Sequence, residues 1–103
     1  LVRSDISAGY QATMATHAGI AFAVEHPIQS NQWERSSNSL VVLSVRDELE
    51  LFYFQDRFKD QKIAASSFYE PDYDNQLMSI AAILDTQQAK KLKNKPLLLK
   101  GIN

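Results

Sequence analysis

Few side chains in this sequence are equipped for chemistry, and the most conspicuous is His17, set among small residues in the alanine-rich stretch SAGYQATMATHAGIAFAVEH, residues 7–26. An imidazole titrates near neutral pH, so with a carboxylate beside it His17 can hold or deprotonate a water, the minimum equipment for hydrolysis. The carboxylates that turns would bring forward are Asp5 and the Glu70-Pro71-Asp72 cluster, both where strands are expected to end, the usual place for sites on open α/β sheets. Each also has a plainer reading: His17 as a packed core histidine, Asp5 as a helix-capping residue, Glu70 to Asp72 as an ordinary turn. By its own pattern alone, His17 favours the packed reading.

Other chemistries are narrowed by what the sequence lacks. Cysteine is absent, which removes thiolate nucleophiles, disulfides and cysteine metal sites. The two histidines, His17 and His26, do not by themselves make a zinc site. No Walker loop, dinucleotide glycine fingerprint or HExxH motif occurs, and the three glycines are too few to build such a phosphate cradle. Nucleophile–His–Asp catalysis stays open, although there is no GxSxG elbow. Net charge is −1, which argues against indiscriminate nucleic-acid binding, yet Lys90, Lys91, Lys93, Lys95 and Lys100 follow Asp85 with no acidic residue among them. Such a cluster can collect phosphate backbone; it can equally be a solvated helix face with a basic tail.

The elements that must position these groups follow from pattern and punctuation. At 103 residues the chain is expected to form one domain over residues 1–103, with a core that needs no staples. Leu1 to Arg3 reads as the end of a longer strand, the chain opening without its initiating methionine. Ser7 is the expected N-cap of a long helix that Pro27 stops. Helical spacing puts Tyr10, Met14, His17, Ala21 and Val24 on one stripe and Ala15, Ala18 and Phe22 on the next, both fit for burial. Residues 27–38 read as a loop or short irregular helix. The apolar, β-branched run SLVVLSV, residues 39–45, reads as an inner strand covered on both faces. A helix over residues 47–58 is expected to turn Leu49, Phe52, Tyr53 and Phe54 inward. Strands are expected at residues 63–69 and 76–84 about a turn at 70–75, and a short terminal helix at 86–94. That order calls for a small mixed β-sheet of about four strands with helices packed on its faces. No apolar run is long enough to span a bilayer, no signal peptide is visible, and a cytoplasmic setting suits the cysteine-free composition.

Several of these residues together carry a resemblance. Arg3-Ser4-Asp5-Ile6, Gly9, His17-Ala18, Trp33-Glu34 and the LVVLSV run resemble, in identity and order, type 2 peptidyl-tRNA hydrolases. That family opens with a strand carrying Arg-x-Asp-Leu and a helix of pattern Gly-Lys-x-Ala-Ala-Gln-x-x-His-Ala, which Gly9, His17 and Ala18 match in register. Tyr10 stands where the family has lysine and Met14 where it has glutamine. Glu70-Pro71-Asp72-Tyr73-Asp74 replaces its Asp-Ala-Gly-x-Thr loop, and Met78, beside Ser79, stands for its threonine. The resemblance implies an α/β sandwich and hydrolysis of the ester joining a peptide, or a blocked amino acid, to the 3′ ribose of tRNA, with no metal or cofactor. It implies His17 as the group acting on water, with Glu70 or Asp72 orienting it. Arg3, Asp5, Gly9, Tyr10 and Met14 would contact the substrate, and Lys90, Lys91 and Lys93 the tRNA backbone. The expected partner is peptidyl-tRNA, with a homodimer as the open option for assembly. A non-catalytic tRNA- or protein-binding module with the same fold is the alternative.

Overall fold

In the computed structural model, which describes residues 1–92 and 94–95, a four-stranded mixed sheet of order β2-β1-β4-β3 carries helices on both faces. β1 (Val2–Arg3) and β2 (Ser44–Val45) run parallel, while β4 (Gln76–Ala82) runs antiparallel to β1 and to β3 (Ala65–Glu70). The parallel pair is joined by α1 (Ala8–Glu25) and α2 (Pro27–Arg35), the crossover such a pair requires. No helix among the described residues is long and apolar enough to cross a membrane.

α1 begins where its cap predicts: the Ser7 hydroxyl accepts from the Tyr10 backbone N–H. Its buried line is Met14, Ala18 and Phe22, spaced four apart, whereas Val24 and His17 are exposed. The wider two-stripe burial expected from alanine content is corrected here, because alanine tolerates either side of a helix and does not fix its phase. Pro27 ends α1 but also opens α2 at its first helical position, where the missing N–H costs nothing. Residues 27–35 are thus a regular helix.

The expectation of an inner strand at residues 39–45 is also corrected. Only Ser44–Val45 forms strand, at the sheet edge, and Leu40 and Val41 are 77% and 64% exposed. The run is apolar for another reason: Leu40, Val41 and Leu43 wall a cavity of about 620 Å³.

α3 (Glu48–Asp60) is capped by Asp47, whose carboxylate accepts from the Glu50 N–H, with acidic residues in its first turn and Arg57 and Lys59 in its last. It buries Leu51, Phe54 and Phe58; Leu49 and Tyr53 lie outside. The inward face expected at Leu49 and Tyr53 is therefore corrected by one residue, because the segment is aromatic on several sides and its pattern does not fix the phase. α4 is short, Thr86–Lys90, with a reciprocal capping box between Asp85 and Gln88. Lys93 and Lys100 lie outside the described residues.

Two apolar clusters fill the sheet faces. Val2, Ile6, Met14 and Met78 pack under α1, and Val45, Leu51, Phe54, Phe58, Leu77 and Ile80 pack under α3 together with Leu92, just beyond α4. Between them the β3–β4 register slips: Phe68 faces Ser79, and Tyr69 faces Leu77. Met78 is therefore the extra residue of a bulge on β4, which lets Met78 and Ser79 face the same side.

Candidate functional site

The site expected from sequence lies where α1 crosses β3. Successive residues of a strand face opposite sides, so Phe68 meets α1 while Ser67 and Tyr69 meet α3, each accepting a hydrogen bond from the Gln55 amide at 2.8 and 2.9 Å. Upon Phe68 lies His17, ring on ring, with centroids 4.1 Å apart and planes 3° from parallel. His17 is exposed, and its ring makes no hydrogen bond to any described residue. It is therefore not a packed core histidine. Stacking fixes the ring plane and leaves the nitrogens, which lie on the ring edge, to solvent.

At the other end of α1, Arg3 is the centre of a buried polar knot. Its Nε and Nη2 donate to the two Asp5 carboxylate oxygens at 2.6 and 2.8 Å, and its Nη1 donates to Gln76 Oε1 at 2.7 Å and the Leu77 carbonyl at 3.3 Å. Arg3 is 6% exposed, and its guanidinium stands over the Tyr73 ring at 5.8 Å. The hydrogen bonds that Arg3 donates to the Asp5 carboxylate raise the Arg3 pKa and hold the Asp5 carboxyl below its ordinary value. Tyr73 in turn meets Tyr10 edge to face at 6.2 Å, so the knot pins the 70–75 turn against the first turns of α1. Arg3 and Asp5 set the frame of the site, their hydrogen-bonding groups being turned on each other.

The expected carboxylate partners are placed differently. Glu70 accepts from the Asp72 backbone N–H at 3.2 Å and so caps the 3₁₀ turn Pro71–Tyr73, while Asp72 is exposed. Neither forms a hydrogen bond or ion pair with His17. Met14, expected to line a pocket, is 1% exposed, and its carbonyl accepts from the buried Ser79 hydroxyl at 2.6 Å. Gly9 is exposed, and a Cβ there would meet nothing within 4 Å, so no close backbone approach requires glycine.

The lysines are also apart from His17. Lys91 and Leu92 lie beside Phe54 and Phe58 of α3, on the sheet face opposite α1. Lys95 is engaged: its ammonium meets Glu50 Oε2 at 2.6 Å. Burial opposes ionisation of Glu50, but hydrogen bonds from Lys95 and from the Arg46 N–H outweigh it, and its pKa is lowered. Lys90 and Lys91 remain exposed.

No protein-family model matches the chain, and no curated protein matches it significantly.

The residues that sequence reading missed here are Phe68, Gln76 and Tyr73. Phe68 could have been found from the phase of β3, since Ser66 also faces α1, its hydroxyl hydrogen-bonded to Glu25. Gln76 and Tyr73 carried no comparable signal, because their role depends on where Arg3 reaches across the sheet.

Proposed function

We propose that the protein is an ester hydrolase of the peptidyl-tRNA hydrolase kind, cleaving the bond between a peptide or blocked amino acid and the tRNA 3′ ribose. The observation that carries this reading is His17, exposed and held flat on Phe68 at mid-helix. The four-stranded mixed sheet, the kind of fold implied by the resemblance of Arg3, Asp5, Gly9 and His17, adds support. In this reading His17 takes a proton from water as the water attacks the ester carbonyl, and returns it to the departing ribose oxygen. Phe68 replaces a carboxylate as the group that sets the ring. Glu70 acts on the turn rather than on the imidazole, and the Tyr10 hydroxyl is a donor within the same helix face. Lys90 and Lys91 would take the tRNA backbone beyond the sheet rim. The enzyme would act in the cytoplasm, and the exposed Ile20, Val24 and Ile28 offer apolar surface for a homodimer.

A second reading, a tRNA- or protein-binding module without turnover, is favoured by one observation. Met14 and Met78, at positions matching polar family residues, are both sealed in the core. Incubation of the purified protein with N-acetylaminoacyl-tRNA, following release of the blocked amino acid, decides between them. Release above the uncatalysed rate is expected. No release, with retained tRNA binding, overturns the enzyme reading in favour of the module.

A further inference from the structure

The stack of Phe68 and His17 is built from the core outward and ends at an open face. Phe68 is half-buried and packs against the cluster of Val2, Ile6, Met14 and Met78, so the lower ring is anchored. His17 lies flat upon it, which covers one face of the imidazole. The exposure that His17 keeps must then come from the opposite face and the ring edge. The proposed hydrolysis uses only the edge, where the nitrogens are. It gives the outer face no role.

The surroundings of that face narrow what can lie on it. Thr13, four residues before His17, and Ile20, three after, are its exposed neighbours on the helix surface. The Thr13 hydroxyl donates to the Gly9 carbonyl and the Thr16 hydroxyl to the Ala12 carbonyl, both at 3.0 Å, so their protons are spent on the helix itself. Asp, Glu, Lys and Arg are all absent from residues 6–24, and the Arg3 guanidinium is committed to Asp5. The turn that meets Tyr10 adds carboxylates, Glu70, Asp72 and Asp74, rather than cations. A phosphate would find no counter-charge here. A flat, uncharged ring would find a matching surface.

We propose that the outer face of His17 is a stacking platform for the nucleobase of the esterified nucleoside, so that the ring binds substrate with its face and acts with its edge. This rests on the ribose-ester reading above. Unpaired bases are held by stacking on aromatic side chains, histidine among them. A base laid on His17 at ~3.5 Å makes the third ring of a column that starts in the core. The ribose is joined to the rim of the base, which brings the ester down beside the imidazole edge, where water must attack. Esterification also leaves the 3′ oxygen without a phosphate, in keeping with the missing cations. Phe68 has already set the plane of His17, so little further ordering is needed on binding. A purine, with the larger face, is preferred to a pyrimidine.

The probe is adenosine, followed by NMR through the ring protons of His17. His26, whose Nε2 donates to the Ala65 carbonyl at 3.1 Å and whose ring lies against Phe22, is the internal reference. A saturable upfield shift of the His17 signals is expected, with those of His26 unmoved. Cytidine should bind more weakly than adenosine, AMP no more tightly, and salt should change the affinity little. By equilibrium dialysis His17→Phe, which keeps the column, should hold adenosine nearly as well as the parent, and His17→Ala roughly tenfold less or worse. Turnover of N-acetylaminoacyl-tRNA is measured separately. A parent protein that shifts with adenosine but releases no amino acid would lose the hydrolase reading and keep the platform. Release without a His17 shift would overturn the platform and keep the hydrolase. Equal binding of adenosine to His17→Ala, or an equal response to N-acetylphenylalanine amide, would also overturn it.

Discussion

Arg3 and Asp5 face each other across a single intervening residue and are joined by two hydrogen bonds of 2.6 and 2.8 Å, with the cation almost wholly buried and the carboxylate partly open to water. The pair is a clamp on the turn between β1 and α1. Removing the carboxylate would leave the guanidinium buried without its counter-charge.

Asp5→Asn should therefore cost about 2–3 kcal/mol, below the ~3–5 kcal/mol of a fully buried pair because Asp5 is partly solvated. Asp5 has a lowered folded-state pKa, so its contribution is present above the ordinary carboxylate range, about 4, and is lost as pH falls through the folded value. Glu50 follows the same sign. Urea midpoints of parent and variant should differ widely at pH 7 and converge as the medium is made strongly acidic. A pH-independent gap would contradict the clamp.

His17 separates chemistry from packing. His17→Ala should lower turnover of N-acetylaminoacyl-tRNA by roughly 100-fold, the scale of a general base, while leaving the melt nearly unchanged because the ring is exposed. His17→Phe keeps a ring on Phe68 and should be as slow as the alanine variant. Activity retained by His17→Phe would remove the imidazole from the mechanism.

Glu48 is a structural carboxylate that the sequence did not single out. Its Oε2 accepts from the Leu77 backbone N–H at 2.8 Å, one residue before the bulge. Glu48→Ala should cost about 1–3 kcal/mol by leaving a buried donor unmet, and Glu48→Gln clearly less, since its amide oxygen can still accept. Chemical denaturation of the two variants measures the difference.

For the lysines the prediction concerns salt. If tRNA is bound, Lys90→Ala and Lys91→Ala should each flatten the dependence of log affinity on log salt by about one unit. Lys95→Met should leave that slope alone and lower stability instead, because its ammonium is held by Glu50. Filter binding at several salt concentrations distinguishes the two effects.

Punctuation was the most legible layer of this sequence. The Ser7 cap, the stop before Pro27, the acidic start of α3 and the hairpin at Glu70 to Asn75 are local effects of single side chains, and the structure has each where local chemistry puts it. Phase was less legible. Alanine in α1 and aromatics around α3 blur the contrast on which periodicity depends, so the pattern points Val24, Leu49 and Tyr53 inward although they are exposed. The apolarity of Leu40, Val41 and Leu43 suggests burial between layers, although these residues wall a cavity beside an edge strand. For the site, His17 stood out by residue type. Its support did not, because a stacking partner fifty-one residues away leaves no spacing signal of the kind a carboxylate motif would.

The extra residue in β4 bears on how substitutions along that strand will be felt. With Leu77 and Ile80 toward α3 but Met78 and Ser79 both toward α1, tolerance to polar side chains cannot rise and fall at every second position. A mutational scan of residues 76–82 would trace two ripples of opposite phase that meet at Met78. Deleting Met78 would bring the strand back into a single rhythm, at the expense of the side chain that fills the space beneath Met14.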